Sequence, residues 1–478
     1  MVHVFTADFL MVPTGLLTVA FLTRQFGPEG YGLFALAASL VAGIEWGLSS
    51  LLSRLTVHAV SETRKWEPVA ASMLRWQFAL GGIAMLLLWL AAAPLAALLD
   101  EPALATYLTL FAVDIPLFLL AQAHRNILTG LGHFHARAMA GAGRWMTRLL
   151  LIVILVECGL SIPGAIAGTM GASVVELLIA RFYVRPGFTM RAALSDQPLC
   201  QAALPLVLSA VALSCFTKLD LFALKMLGGS AAQAGVYAAA QNLAILPGIF
   251  AHAFSPLLLS TVNRAIRQGD VAQARALGRH AIRLVFILFP FVGLLAGAAP
   301  HIVLWAFGPS FASASIPMVI LIIGAAALAL IAVTTAILTA AGRTSWVFGL
   351  TGPLVPAAIG GHLLMIPTFG LHGAAIVTSG LSIMCAGATL AAVSRLWTVL
   401  PTAGTMWRSV LLFTVAYALA GWWATPDADL LVELPALGLC IVMGQWVLGE
   451  ITIREKAFCR SLMSWGTRRI RDVEERPA

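Results

Sequence analysis

Arg24-Gln25-Phe26-Gly27-Pro28-Glu29-Gly30-Tyr31-Gly32 is a polar break between two apolar stretches, and the chain says nearly the same thing again about two hundred residues later. There Lys225-Met226-Leu227-Gly228-Gly229 is followed by Ala234-Gly235-Val236-Tyr237-Ala238, again between apolar stretches. Arg24 and Lys225 stand 201 residues apart, and Tyr31 and Tyr237 stand 206 apart. A second pair of marks keeps the offset. Leu131-Gly132-His133 matches Ala341-Gly342-Arg343 at 210 residues, and Gly164-Ala165-Ile166-Ala167 matches Gly373-Ala374-Ala375-Ile376 at 209. Marks in one order at nearly one spacing point to two related halves. In a membrane protein, paired halves point to a transporter whose substrate sits between them.

Composition places the chain in a membrane. Its 478 residues are 60% apolar and 10% charged, with a mean hydropathy of +0.93, whereas soluble domains carry about 25% charge. A span needs roughly 20 apolar residues, so there is room for more than ten. Met1 to Phe26 lacks a basic start and a cleavage site and carries Asp8, so it reads as the first span and not as a signal peptide. Cys158, Cys200, Cys215, Cys385, Cys440 and Cys459 are scattered without metal-ligand spacing and read as small apolar packers.

Apolar runs bounded by Gly, Pro or charge clusters predict fourteen spans: 4–23, 31–53, 75–99, 103–123, 138–158, 161–184, 199–224, 234–260, 281–306, 313–340, 345–367, 372–397, 407–424 and 430–450. With both termini inside, the inner segments hold Arg54, Arg64, Lys65 and Arg75; Arg125, Arg137, Arg144 and Arg148; Arg181, Arg185 and Arg191; Arg264, Arg267, Arg275, Arg279 and Arg283; Arg343; Arg395 and Arg408; and the tail. The outer turns carry Glu29, Asp100, Glu101, Asp427, Asp429 and Glu433. This is the positive-inside pattern, so the net charge of +8 gives no reason to expect a nucleic-acid partner. Six spans per half is an even number, which makes the halves parallel repeats about an axis along the membrane normal. The predicted architecture is all-α and integral to the membrane. It has a lobe over residues 1–190, a lobe over 191–400, a cavity between them, and two further spans with a basic tail over 401–478. The arginines of 264–283 predict a basic surface helix between spans 8 and 9, and the tail from Arg454 to Arg476 an interfacial amphipathic helix.

The chain has no Gly-rich phosphate loop with a lysine, no His-Glu-x-x-His and no nucleophile elbow. The outer loops are short, leaving no aqueous platform for a membrane glycosyltransferase. No catalytic residue, metal or cofactor is expected.

Charges inside spans cost at least about 2.5–3.5 kcal/mol each, so each asks for a reason. Lys218 and Lys225 are seven residues apart and share a helix face, while Asp220 lies about 200° round from Lys218 and is not expected to pair with it. Lys218 reads as part of a cationic wall, with Asp220 as its counter-ion or a proton site. Lys225 either joins that wall or snorkels to the outer interface. Arg24, heading the first copy of the repeat, runs against the positive-inside trend. Gln241 and His252 return to one direction at eleven residues and form a polar stripe in span 8, explained by a cavity or by interhelical bonding. Glu45 aligns with Ser49 and roughly with Ser53, toward the cavity. Asp114 and Glu176 each read as a protonatable site or as the partner of an unseen cation.

Leu22-Thr23-Arg24-Gln25-Phe26-Gly27-Pro28-Glu29-Gly30-Tyr31-Gly32 and Glu45-Trp46-Gly47-Leu48-Ser49 resemble the opening of polysaccharide transporters in the multidrug/oligosaccharidyl-lipid/polysaccharide (MOP) exporter superfamily. Leu219-Asp220 with Lys225 to Gly228 and Gly235-Val236-Tyr237 is similar to that family's seventh and eighth spans, and Ile366-Pro367-Thr368-Phe369-Gly370-Leu371-His372-Gly373 to its eleventh-to-twelfth turn. The resemblance covers about the first 400 residues. It implies a Wzx-type flippase in a bacterial inner membrane, moving an undecaprenyl-diphosphate-linked oligosaccharide between leaflets for exopolysaccharide, capsule or O-antigen synthesis. It implies a proton or sodium gradient as the drive, and Arg24, Lys218 and Lys225 as basic cavity residues for the diphosphate. Asp220, Glu45 and Asp114 are the candidates for ion coupling, and Gln241 and His252 for the polar stripe. Membrane lipid, the lipid-linked glycan and a polysaccharide polymerase or export apparatus are the expected partners of a monomer. A drug/cation antiporter or a peptidoglycan-precursor flippase of the same superfamily is the alternative. A membrane glycan polymerase or ligase is the alternative of another class.

Overall fold

The computed structural model describes residues 10–62, 66–186, 199–397, 402–425 and 429–450. Every regular element among them is helical: α1 (Met11–Glu62), α2 (Trp66–Leu98), α3 (Pro102–Ala112), α4 (Asp114–Gly130), α5 (Phe134–Leu155), α6 (Ser161–Tyr183), α7 (Leu199–Met226), α8 (Ala231–Ala244), α9 (Leu246–Arg267), α10 (Val271–Gly297), α11 (Ala299–Phe307), α12 (Ser315–Ala340), α13 (Thr344–Thr351), α14 (Leu354–Trp397), α15 (Ala403–Trp423) and α16 (Leu430–Val447). Helix is the expected answer for Leu- and Ala-rich chain in hydrocarbon, because each backbone group must be satisfied within its own segment. Large apolar side chains such as Leu90, Leu364, Met384 and Val447 remain exposed on the outside of the bundle, as a lipid-facing surface requires.

Among the described residues, nine helical stretches are long and apolar enough to cross a membrane. Three of them, Met11–Ser50, Phe134–Tyr183 and Thr344–Trp397, are 40, 50 and 54 residues long, and the backbone breaks inside them at Gly27, Gly159 and Gly370. Each therefore supplies two crossings. With α7 and the α8–α9 pair the segments number fourteen, in the order expected. The separate surface helix expected over 264–283 does not form. The α9 helix runs on to Arg267, the chain turns through Gly269, and α10 starts at Val271 with Asp270 accepting from the Gln273 N–H at 2.8 Å. Its arginines therefore extend two spans. Residues 4–9 of the expected first span and the expected tail helix of 454–476 lie outside the described residues.

The duplication is visible in the backbone. Gly132 and Gly342 have φ of 76° and 74°, the left-handed conformation that strains any residue with a Cβ. Each closes a helix in the same way: His133 N–H donates to Leu128 O at 2.8 Å, and Arg343 N–H to Leu338 O at 2.9 Å. Gly164 and Gly373 each start a returning helix against a carbonyl of the preceding one. A Cβ would lie 3.0 Å from Leu155 O in the first case and 2.3 Å from Met365 O in the second.

Helices up to α6 pack among themselves, α1 with α4, α2 with α4, and α4 and α5 with α6. From α7 onward the pairings are α7 with α14, α9 with α12, and α12 with α14. The two groups meet chiefly through α1 against α7 and α8. At the end bearing the 24–32 and 225–235 turns they share one apolar core, to which Tyr31, Phe34 and Phe111 contribute from one half and Tyr237, Phe307 and Phe311 from the other. At the opposite end each half has its own core. Val60, Leu74, Ile127 and Ala140 belong to one, and Leu258, Val262, Ile282 and Val393 to the other. The halves are joined at one end and separate at the other. Outside the duplication, α15 and α16 pack on α10, where Glu450 accepts from Arg408 at 3.0 Å and Thr405 at 3.1 Å.

Candidate functional site: a cavity between the halves

Where the two cores diverge, a cavity of about 760 Å³ opens between α1, α4 and α5 of the first half and α7, α8, α12 and α14 of the second. Glu45 reaches it from 13 residues beyond Gly32, which at about 1.5 Å per residue is roughly 20 Å from the joined end. Among the described residues, five cations line it: Arg125, Arg137, Arg144, Arg148 and Lys218. The four arginines come from the first half alone. Charge counting assigns them to an inner-face cluster. The structure adds that α4 and α5 carry them along the cavity wall. The helical spacing held the signal: Arg137 and Arg144 are seven residues apart and Arg148 is four further on, all on one face.

Glu176 explains part of the charge. It is fully buried on α6 and accepts from Arg125 at 3.0 Å and Arg144 at 2.8 Å. Of the two readings open for it, the structure gives the partner of cations. The Arg144 guanidinium also lies 4.6 Å from the Phe118 ring centroid, a cation–π contact that orients it. Arg148 differs. It stands over Trp145 at 5.8 Å, and its buried Nε has no hydrogen-bond partner among the protein atoms.

Asp220 is the most completely satisfied carboxylate in the site. It accepts from Tyr237 at 2.7 Å, from Gln241 at 2.9 Å and from Thr378 at 3.1 Å, with its own Leu221 N–H at 2.8 Å. These bonds tie α7 to α8 and α14, and Lys218 on the same helix lines the cavity without joining them. Gln241 is thus a donor to Asp220 as well as a lining residue. Glu45 and Asp114 also line the cavity. They are 5% and 1% exposed, and each has one buried oxygen with no donor. His252 lies on α9, and its side chain is outside the described ones.

Arg24 and Lys225 do not line the cavity, contrary to the sequence expectation. Both act at the joined end. Arg24 Nε donates to Ala306 O at 3.1 Å and its guanidinium also reaches Trp305 O, so it caps the carbonyl end of α11 across the divide. Lys225 pairs with Glu101 at 3.0 Å, again across the divide. These partners lie in the other half, far away in sequence.

The all-helical bundle, with two repeated halves flanking a polar cavity, has the architecture of a membrane transporter. The chain belongs to the family described as polysaccharide biosynthesis protein, which matches residues 3–258. Its fold is that of the MOP superfamily. It is similar to the lipid II flippase MurJ in an inward closed conformation, with 14% identity and a TM-score of 0.75 over 97% of this chain and 100% of that one. It is also similar to the inward-facing conformation of a multidrug resistance MATE family transporter, with 16% identity and a TM-score of 0.62 over 83% of this chain and 94% of that one. A MOP superfamily transporter from Pyrococcus furiosus, described as having a binding pocket of reverse polarity, aligns with 17% identity and a TM-score of 0.59 over 84% and 96%. No curated protein sequence matches the chain.

Proposed function

We propose that the protein is a flippase for a polyprenyl-diphosphate-linked oligosaccharide, working by alternating access in a bacterial inner membrane with both termini cytoplasmic. The observation that carries this reading is the cation wall. Arg148 and Lys218, one from each half, line the same cavity, and neither is engaged by a carboxylate as Arg125 and Arg144 are by Glu176. A diphosphate satisfies such groups, since guanidinium and ammonium donors make their strongest bonds to charged oxygens. The cavity lies within the range of about 300–1,000 Å³ typical of small-molecule sites. It suits a headgroup, with the prenyl chain left in the bilayer. Trp46, Trp145 and Phe118 on the same wall offer faces for sugar rings.

The lobes divide near residues 190 and 400, and the repeat axis runs along the membrane normal. Glu45 and Asp114 supply the coupling chemistry. A buried carboxylate oxygen without a donor is stable when a proton or a cation satisfies it, which fits H⁺ or Na⁺. Family and fold are those of transporters and not of enzymes, and the five cations disfavour an organic-cation cargo. Reconstitution tests the reading: protein in liposomes should carry a polyprenyl-diphosphate glycan across the bilayer under an ion gradient. Export of cationic dyes with no glycan movement would replace it with the antiporter reading.

A further inference from the structure

Two glycines hold the joined end together in a way that neither the cavity nor the fold alone requires. A Cβ on Gly32 would lie 1.9 Å from Ala231 O, and a Cβ on Gly235 would lie 1.9 Å from Pro28 O. Both distances are far inside van der Waals contact. The first turn of the second span and the first turn of the eighth therefore touch backbone to backbone. The contact is reciprocal: each glycine meets the residue four positions before the other. Gly32 and Gly235 are 203 residues apart, which identifies them as the two copies of one position. It also corrects the repeat alignment, because Tyr237 then answers to Phe34 and not to Tyr31, a shift of one helical turn.

The flanking contacts obey the same symmetry. Arg24 ends the first span and crosses to the last turn of α11 at residues 305 and 306. Lys225 ends the seventh span and crosses to Glu101 in the turn after α2. Glu101 and Trp305 are 204 residues apart. Each half thus reaches over to the equivalent stretch of the other. The contact sits at the end of the cavity away from Arg125 and Arg137, and Tyr31, Phe34 and Ala35 beside it already line the cavity. At the glycine pair itself no side chain stands between the two backbones. The flanking polar links are few: Arg24 to residues 305 and 306, Lys225 to Glu101, and Asn242 donating to the Tyr31 hydroxyl at 3.2 Å. Such a seal is tight to water and releasable.

We infer that the two copies of the opening motif form the gate of the cavity at this end, with Gly32 and Gly235 as its closing surface and Arg24 and Lys225 as its two latches. This rests on the alternating-access reading above. In the closed gate, the missing side chains let the backbones meet. One methyl on either glycine holds the halves apart.

The test measures the gap at this end directly. Spin labels at Glu29→Cys and Ser313→Cys, both exposed and on opposite halves, report the distance by pulsed electron resonance. The full chain is used in lipid nanodiscs with its six native cysteines replaced by alanine. Gly32→Ala with Gly235→Ala should move the ratio of long to short distances by about tenfold or more, as expected when overpacking penalises one state. Gly43→Ala with Gly47→Ala, where a Cβ meets nothing within 4 Å, should leave it unchanged. A wild-type distribution in the first variant overturns the gate. Should that variant fail to accumulate, Lys225→Gln decides: a longer distance that is shortened again by the swap Lys225→Glu with Glu101→Lys supports the gate, and no change overturns it. The distances need no substrate. An unchanged gap with glycan transport intact sinks the gate alone, and a widened gap in a protein that moves no glycan sinks the flippase reading alone.

Discussion

The two halves that flank the cavity share a fold and differ in how much charge they carry. Arg144, Arg148 and Glu176 form the ionic heart of the first wall. At offsets of 210, 210 and 209 residues, the second half places Leu354, Ala358 and Cys385. Those three residues sit together in a purely apolar cluster with Phe216, Ile331 and Ala386. Glu45 of the first half corresponds to Gly248 of the second at the gate's offset of 203. Asp220, with its four donors, has only the Leu17–Val19 stretch opposite it. Duplication kept the backbone features that make the bundle and let the side chains diverge. The first half lines the cavity with four arginines and with Glu45 and Asp114. The second half lines it mainly with neutral polar and small residues, Gln241, Thr378, Ser379 and Ser382 among them, and among the described residues its lining cation is Lys218.

The contrast can be broken from the ionic side. Glu176→Ala should have the largest effect. It strands Arg125 and Arg144, and removing one partner of a buried pair costs about 3–5 kcal/mol. A large fall in the melting temperature of the detergent-solubilised protein is expected. Transplanting the second wall onto the first should be far gentler. Arg144→Leu with Glu176→Cys and Arg125→Thr replaces ions by groups the fold already accepts at equivalent positions. Such replacements are often neutral or stabilising by about 1–4 kcal/mol. The protein should melt at or above the wild-type temperature while glycan transport is lost. A collapse in melting temperature would mean that the ionic cluster is there for the fold.

Asp220→Asn comes next. It turns an acceptor of four donors into a group that must itself donate, at a cost of about 1–3 kcal/mol, read as a lower melting temperature. Lys218→Ala and Arg148→Ala should leave stability near wild type. Each should weaken binding of a polyprenyl diphosphate by about tenfold or more, the scale of a hydrogen bond to a charged group. Trp145→Ala should be smallest, about 0.5–1 kcal/mol through the partly buried cation–π contact to Arg148, seen as a slight loss of the same affinity.

The sequence carried the fold well, because hydropathy and backbone-determined glycines are local signals. Gly132 and Gly342 mark the same helix ending in either copy, and no tertiary contact is needed to see it. The site was only partly legible. Glu45, Asp114, Lys218, Asp220 and Gln241 all line the cavity, since a polar group in an apolar span announces itself. Arg125, Arg137, Arg144 and Arg148 were hidden by the positive-inside rule. A basic residue within a few turns of a helix end reads as a loop charge whichever way its helix faces. Arg24 and Lys225 stood out as out of place, but their partners in the other half could be found only by folding the chain.

The central claim is that an anionic headgroup spans Arg148 and Lys218 between the halves. Its most direct measurement is transport of a polyprenyl-diphosphate glycan in proteoliposomes by Arg148→Ala with Lys218→Ala, beside wild type. The account predicts that the double variant inserts and melts like wild type and moves the glycan at background rate. Wild-type transport by the double variant would contradict it.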